Sequence, residues 1–252
     1  MLSSAAVEPL REPFPVHASD ADAFGLLTAP AMGGYLQETA AHHAAALGVG
    51  IEALRERGLA WVLGRLRLEV EAPVRAGDRL EVETWPSGTE GVAALRDFAV
   101  WRGAERVAEA SSVWFVMDLA RRRPVRLDRV LDERFRPRPP GALAPPAERL
   151  APPAAGGAGK RFSIRYLDID ANQHVTNTSY LAWALEAVPP AVWEEARLRR
   201  LEAHYLAECR YGSTVLSRVE EEGEGKYRHA VVREEDGKEL ARLWTEWVGR
   251  EA

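Results

Sequence analysis

The sequence predicts an α+β fold built from two related halves. In the first half an alanine-rich helix precedes four strand-like runs, in which apolar and polar residues alternate between short turns. A helix followed by antiparallel strands is typical of α+β proteins. After a segment rich in arginine and proline, the same order of elements returns. A repeated order indicates internal duplication, which decides the architecture.

The duplication is also visible in individual residues. Residues 20–28 lie over residues 168–176 without a gap, and the two segments share two acids, one alanine and one threonine. The same offset carries Tyr35 onto Trp183. We therefore expect two homologous domains.

The first domain, residues 10–118, should begin with a strand and contain one long helix. One face of that helix carries Met32, Leu36 and Ala40 at helical spacing. Gly48 ends the helix, because glycine tolerates the left-handed cap. The predicted elements are a strand at 11–18, helices at 28–47 and 51–57, and strands at 61–70, 79–85, 92–101 and 106–117.

Residues 119–160 are predicted to form a linker between the domains. Arginine dominates the first part of this segment, proline the middle, and glycine and alanine the end. We expect no hydrophobic core from this composition. A proline-rich segment is semi-rigid, whereas a glycine-rich one is flexible.

The second domain, residues 161–250, repeats the plan of the first. Its helix should begin near Thr176, a good N-cap residue, and end before Pro189, which cannot continue a helix. The other predicted elements are a short amphipathic segment after the helix and strands at 161–167, 201–211, 215–222, 227–234 and 238–248.

Composition and charge exclude several classes of protein. Hydrophobic residues make up 46% of the chain and charged residues 28%, as in ordinary globular proteins. The net charge of −5 gives no reason to expect nucleic-acid or membrane binding. No apolar run has the length of a signal peptide or a membrane span, and the single cysteine, Cys209, excludes an internal disulfide. We expect a cytoplasmic protein without a metal or a cofactor.

A polar segment between the first strand and the helix of the second domain is the candidate site. Two acids, two amides and a histidine lie between Asp168 and His174. Short polar side chains favour turns, because they bond to the nearby backbone. The first N–H groups of the following helix point to the same place and can stabilise negative charge.

The equivalent turn of the first domain lacks these polar groups. Phe24 stands in place of Asn172 and Leu26 in place of His174, and alignment of the later turns places Pro73 opposite Glu208. One domain is therefore predicted to perform chemistry, and the other to make apolar contacts.

Three assignments stay open on the residues alone. Glu208 lies in a strand-like run, where it could face solvent or serve the turn. Cys209 could be a nucleophile beside His174, although a lone cysteine on a strand is more often a small buried side chain. A metal could be held by Asp168, Asp170 and His174, although the spacing matches no specific metal site.

Several motifs are specific when they are taken together. They are Asp-Ala-Asn-Gln-His-Val-Thr-Asn-Thr-Ser-Tyr at 170–180, Glu-Cys at 208–209, Gln-Glu-Thr-Ala at 37–40, Trp-Val-Leu-Gly-Arg-Leu at 61–66, Glu-Thr-Trp-Pro-Ser-Gly at 83–88, Arg-Asp-Phe at 96–98 and Ala-Ser-Ser-Val-Trp at 110–114. Through these motifs the chain closely resembles the acyl-ACP thioesterases of plants and bacteria.

The resemblance implies a fold and a catalytic set. The fold is a double hotdog, with two antiparallel sheets that each wrap around a long helix and join into one extended sheet. The catalytic set falls on Asp170, Asn172, His174 and Glu208. The two acids would bind and activate water, or Asp170 would attack directly, while Asn172 would hold an acid or the carbonyl and His174 would shuttle protons. The N-terminus of the helix would stabilise the oxyanion.

The resemblance also implies a fatty acyl-ACP as substrate and an acyl carrier protein as partner. We expect the acyl chain to lie against apolar residues of the first domain, namely Phe24, Leu26, Met32, Leu36 and Ala40. Arg122 and Arg126 could dock the acidic carrier or belong to a solvated linker. A homodimer is compatible with the sequence. The alternatives are an acyl-CoA thioesterase of the same fold, a hotdog hydratase and a non-catalytic acyl-carrier binding protein.

Overall fold

The computed structural model of the protein describes residues 7–135, 144–154 and 158–250. The chain forms two compact units, residues 1–146 and residues 147–252. Each unit combines one long helix with antiparallel strands, as the sequence predicts. Within the described ranges, no helix is both long and apolar enough to span a membrane.

The described residues of the first unit form two α-helices and six strands. They are β1 (Leu10–Pro15), α1 (Ala29–Ala46), α2 (Ile51–Arg55), β2 (Leu59–Val70), β3 (Arg79–Glu90), β4 (Ala93–Arg102), β5 (Glu105–Asp118) and the two-residue β6 (Arg123–Pro124). The strands follow the order β1-β3-β4-β5-β2, and each neighbouring pair is antiparallel. The short β6 pairs with the end of β5.

Helix α1 packs its apolar face on this sheet. Its start is fixed by Thr28, whose hydroxyl accepts a hydrogen bond from the Ala31 N–H at 3.3 Å. Met32, Leu36 and Ala40 are buried on the face predicted from their spacing. Full burial of one such side chain stabilises the fold by about 2 kcal/mol.

The structure corrects the first part of the predicted linker. Leu127, Leu131 and Phe135 are buried in one cluster with Leu54 of α2 and Val116 of β5. These three apolar residues recur every four positions, a spacing that the arginine-rich composition concealed. Residues 119–135 therefore pack on the first unit, and residues 136–143 and 155–157 of the predicted linker lie outside the described residues.

In the second unit, the residues that the structure describes repeat the plan with two α-helices and five strands. They are β7 (Ala158–Ser163), α3 (Asn177–Glu186), α4 (Pro190–Glu195), β8 (Ala196–Tyr205), β9 (Thr214–Gly223), β10 (Lys226–Arg233) and β11 (Glu239–Gly249). The strands follow the order β8-β11-β10-β9-β7 with antiparallel neighbours. Helix α3 packs against β7, β9 and β10.

Two predicted strand ends of the second unit are wrong, and both errors affect the site. The strand predicted at 161–167 stops at Ser163 and is followed by a short 3-10 helix at Tyr166–Asp168. The strand predicted at 201–211 is β8, which ends at Tyr205. Beyond it the N–H groups of two consecutive residues, Leu206 and Ala207, donate to the same carbonyl, so the regular ladder ends there.

Candidate active site

The polar segment of the second unit forms one closed turn around Asp170. The Oδ1 atom of Asp170 accepts hydrogen bonds from the backbone N–H groups of Asn172, at 2.8 Å, and His174, at 3.1 Å. The Asp170 N–H in turn donates to the His174 carbonyl at 2.8 Å. Between them Gln173 has a left-handed backbone, with φ 64°. The acid therefore fixes the backbone that carries the amide and the histidine.

The first unit contains the same turn, built around Asp22. Its Oδ1 atom accepts hydrogen bonds of 2.9 Å from the N–H groups of both Phe24 and Leu26. The left-handed position is here Gly25, with φ 74°. The alignment of the two turns, which was inferred from residues, is thus confirmed by identical hydrogen bonds. It follows that an acid at this position is not by itself a mark of catalysis.

The second oxygen of Asp170 has a different environment. Among the residues that the structure describes, Oδ2 accepts only one long hydrogen bond, of 3.4 Å, from the Asn172 side-chain amide. Because Oδ1 is used by the backbone, Oδ2 is the carboxylate oxygen that is available to a substrate or a water molecule. In the first unit Phe24 offers no amide at this place.

Glu208 is brought to the turn by a backbone hydrogen bond. The Val175 N–H donates to the Cys209 carbonyl at 2.9 Å, which places Glu208 beside the histidine. The Nε2 atom of His174 lies 2.8 Å from Oε2 of Glu208. This is an ion-pair distance, and Nε2 forms no aligned hydrogen bond to any described residue. The carboxylate is therefore positioned to stabilise a positive charge on the ring.

The corresponding contact of the first unit joins Leu27 to Val74, whose carbonyl accepts from the Leu27 N–H at 2.9 Å. Pro73 consequently occupies the position of Glu208, as the alignment of the later turns predicted. Of the two geometrically equivalent turns, one carries an acid, an amide, a histidine and a second acid, and the other carries only the acid.

The start of α3 completes the polar environment. Thr176 caps the helix, and its hydroxyl accepts from the Ser179 N–H at 3.3 Å. The Thr176 N–H donates to the carbonyl of Asp168 at 2.8 Å. Burial acts to raise the pKa of the Asp168 carboxyl, but the hydrogen bonds and the positive charge of Arg165 lower it below its ordinary value. Asp168 is thus a charged structural residue that anchors the turn.

Two family models cover most of the chain. The acyl-ACP thioesterase N-terminal domain matches residues 9–135, and the acyl-ACP thioesterase C-terminal domain matches residues 154–249. The chain belongs to the acyl-ACP thioesterase family. The family predicted from the motifs is therefore confirmed.

Known members of the acyl-ACP thioesterase family are similar along most of this chain. A chloroplastic acyl-[acyl-carrier-protein] hydrolase of Cuphea viscosissima is 33% identical over 242 residues, which cover 86% of this chain and 57% of that protein. A chloroplastic palmitoyl-acyl carrier protein thioesterase of Arabidopsis thaliana is 29% identical over 240 residues, with 86% and 58% covered. The chain thus spans little more than half the length of these curated relatives.

Solved structures of the family share the fold. An acyl-ACP thioesterase from Bacteroides thetaiotaomicron superposes with a TM-score of 0.79 at 26% identity, over 95% of this chain and 98% of that chain. The 12:0-ACP thioesterase from Umbellularia californica gives a TM-score of 0.82 at 23% identity, over 96% and 97%. The predicted α+β double hotdog fold is confirmed.

The thiol of Cys209 is not placed like a nucleophile. The side chain is only 1% exposed, so its sulfur is shielded from a substrate. What links Cys209 to the turn is its backbone carbonyl.

We therefore expect Cys209→Ala to keep kcat within about threefold of the parent, as measured by thiol release from an acyl thioester. A fall in kcat of about 10²-fold in a folded variant would instead indicate that Cys209 is the nucleophile.

The metal alternative finds no support in the described part of the chain. Asp168 is occupied by Arg165, whose side chain donates to its two oxygens at 2.9 Å and 3.2 Å. No group of three or more histidine, cysteine, aspartate or glutamate side chains among the described residues could hold a metal ion.

The residues predicted to bind the acyl chain lie on α1 and on the Asp22 turn. Met32, Leu36 and Ala40 are buried, and Phe24 and Leu26 are partly buried. All five lie in the first unit, whose turn lacks the amide and the histidine of the Asp170 turn. Their role in binding an acyl chain stays a prediction.

Polar side chains also lie beside α1, where the sequence predicted only an apolar helix face. Arg96 of β4 donates to Thr84 Oγ1 at 3.1 Å and lies 3.1 Å from Nδ1 of His43 on α1. Burial, together with the charge of Arg96, lowers the pKa of His43 to about 4, so the ring is neutral at pH 7 and accepts from Arg96. A signal was present, because His43 shares the helix face of Met32 and Leu36.

Of the arginines proposed for carrier docking, Arg122 lies between β5 and β6 and Arg126 follows β6. Arg126 forms an ion pair of 2.8 Å with Asp128, and Arg122 has a left-handed backbone with φ 51°. The neighbouring Arg121 pairs with Asp118. Much of the positive charge of this segment is thus balanced by its own acids.

Proposed function

We propose that the protein hydrolyses the thioester of fatty acyl carrier protein, and releases a free fatty acid and the carrier thiol. The observation that carries this proposal is the pairing of His174 with Glu208 beside Asp170 in only one of two equivalent turns. Membership of the acyl-ACP thioesterase family supports it, as do relatives that are named acyl-[acyl-carrier-protein] hydrolases.

The chemistry begins with a water molecule held between Asp170 and His174. Oδ2 of Asp170 accepts one hydrogen bond from this water, and the Asn172 amide orients either the water or the thioester carbonyl. The water attacks the carbonyl carbon while one of its protons passes to His174. The positive charge that develops on His174 is stabilised by Glu208 at 2.8 Å.

The second step breaks the carbon–sulfur bond. The tetrahedral intermediate carries a negative oxygen, which the N–H groups at the start of α3 and the positive end of the helix stabilise. Collapse of the intermediate expels the carrier thiolate, and His174 returns the proton to sulfur. One water is consumed, and one carboxylic acid and one thiol are formed, so atoms and charge balance.

The experiment that tests this function measures thiol release across a series of acyl carrier proteins of increasing chain length. We expect stoichiometric release of carrier thiol and free fatty acid. A matched acyl-CoA series should give a lower kcat/KM. A higher kcat/KM on acyl-CoA would show that the substrate is acyl-CoA and not acyl carrier protein. Loss of enoyl absorbance without thiol release would indicate a hydratase, and tight binding without turnover would indicate a binding protein.

The acyl chain is proposed to lie in the first unit, against the buried face of α1. Each methylene that is buried contributes about 0.8 kcal/mol, so the length of the apolar space sets the preferred chain. We expect Ala40→Phe to shift the product profile toward shorter acids, because the larger side chain fills part of this space. The measurement is the fatty-acid product distribution from a mixture of acyl carrier proteins.

Ala46, which is exposed on the same helix, provides the matched control. Ala46→Phe should leave the product profile unchanged. If Ala40→Phe lowers the melting temperature but keeps the parental profile, Ala40 belongs only to the helix core and the assignment of the acyl site is wrong.

A further inference from the structure

Three large apolar side chains are exposed around the catalytic turn. Tyr166 is 82% exposed, Leu167 81% and Tyr211 70%. No other large hydrophobic residue in the described part of the chain is as exposed, the next being Ile51 at 60%. Exposure of such surface to water is unfavourable, and groups of this kind mark interaction sites. We call these three residues, together with Arg165 and Arg210, the rim.

The backbone places the rim next to the turn. Tyr166 and Leu167 lie in the 3-10 helix that leads into the turn, and Tyr211 follows the segment that carries Glu208. Two hydrogen bonds tie these segments together on either side of Tyr211. The Val175 N–H donates to the Cys209 carbonyl at 2.9 Å, and the Ile164 N–H donates to the Ser213 carbonyl at 3.1 Å.

The first unit shows that this backbone does not require large apolar residues. The same two hydrogen bonds occur there, and the same 3-10 helix spans Ala18–Asp20. The positions of Tyr166, Leu167 and Tyr211 are occupied by small residues, namely Ala18, Ser19 and Ala76. The large exposed side chains are therefore specific to the unit with the catalytic turn, and folding does not explain them.

The rim also carries positive charge. Arg210 is exposed next to Tyr211 and forms no ion pair with any described residue. Arg165 pairs with the buried Asp168, yet its side chain is 73% exposed. Tyrosine and arginine are, with tryptophan, enriched among the residues that dominate binding energy at protein interfaces. Such a surface suits a partner that combines an apolar patch with acidic side chains.

We propose that the rim is the docking surface for the acyl carrier protein. This inference rests on the proposed function, because the carrier delivers its thioester on a flexible arm and must contact the surface around the turn that receives it. Acyl carriers are acidic proteins, so the exposed guanidinium of Arg210 attracts them, and the apolar side chains supply the contact area.

The decisive variant gives the rim the side chains of the first unit. Tyr166→Ala, Leu167→Ser and Tyr211→Ala are combined in one chain, and the first unit demonstrates that this backbone accepts these residues. We expect KM for acyl carrier protein to rise at least tenfold, with kcat little changed. Hydrolysis of the matched acyl-CoA should stay within about twofold. In a separate variant, Arg210→Glu should raise KM more at low than at high ionic strength.

Two control variants accompany the test. Ile51→Ser removes an exposed apolar side chain outside the rim and should leave KM unchanged. Arg122→Glu combined with Arg126→Glu tests the docking segment suggested by the sequence. An unchanged KM in the triple rim variant, or an equal loss on acyl carrier protein and acyl-CoA, would overturn the proposal. A larger rise in KM from the Arg122 and Arg126 reversals than from the rim would overturn it as well.

Two other occupants of the rim would be recognised by separate measurements on the same variants. If light scattering shows that the parent is dimeric and the triple variant monomeric, and KM is unchanged, then the rim binds a second copy of this chain and not the carrier. Sedimentation with anionic vesicles would reveal a lipid surface in the same way. Should the parent hydrolyse only acyl-CoA, the proposed function fails, and the affinity of holo-carrier for parent and triple variant still decides whether the rim docks it.

Discussion

Asp170→Asn should lower kcat at least about 10²-fold while the protein stays folded. Asparagine retains an oxygen that can accept the two backbone hydrogen bonds now made to Oδ1, at 2.8 Å and 3.1 Å, so the turn keeps its shape. What the variant loses is the negative charge of Oδ2, the oxygen available to the attacking water. The measurement is kcat by thiol release, with circular dichroism and a thermal melt to verify the fold.

The distribution of the loss between kcat and KM is informative. An interaction made only in the transition state lowers kcat and kcat/KM equally and leaves KM unchanged. We expect that pattern for Asp170→Asn. A variant that raised KM alone would show that Asp170 binds the substrate without taking part in its reaction.

His174→Leu and Glu208→Gln should each lower kcat by about 10²-fold or more. Leucine is the residue that stands at the equivalent position of the first unit, Leu26, so the fold accepts it. Glutamine keeps the size of Glu208 and removes the charge that faces Nε2 of His174 at 2.8 Å.

The double variant tests whether the two side chains act as a pair. Groups that act as a unit show strongly non-additive losses. We therefore expect His174→Leu with Glu208→Gln to be little worse than the more damaging single variant, measured as kcat under the same conditions. Losses that multiply would show that Glu208 and His174 act independently, and the proposed stabilisation of the imidazolium by Glu208 would be wrong.

The parts of the site that are local in sequence could be predicted, and the parts that depend on distant contacts could not. The hydrogen bonds that Asp170 makes with Asn172 and His174 join residues four or fewer positions apart, so local composition was enough to indicate a turn. The α1 face of Met32 and Leu36 followed from helical spacing in the same way.

The position of Glu208 was inferred only by comparison of the two halves and by family resemblance. Alternation along residues 201–211 could not place its side chain, because β8 ends at Tyr205 and the period of two stops there. The contact with His174 depends on a hydrogen bond between Val175 and Cys209, which lie far apart in the sequence.

Two further features were not predicted, because charged or apolar neighbours in the sequence indicated a different environment. Leu127, Leu131 and Phe135 are separated by charged residues, so their four-residue spacing was lost in an arginine-rich segment. Arg96 interrupts an apolar strand, and its partial burial is explained only when His43 and Thr84 are placed around it. In both cases the charged residues predicted a solvent-exposed segment, whereas tertiary contacts bury part of it.

The central claim is that only one of two equivalent turns is catalytic, and the most direct test compares Asp22→Asn with Asp170→Asn. Both substitutions keep the oxygen that closes the turn and remove one negative charge, so their structural costs are matched. We predict that kcat for acyl carrier protein falls at least about 10²-fold in Asp170→Asn and less than about threefold in Asp22→Asn. Equal losses in two folded variants would contradict the division into a catalytic and a binding unit.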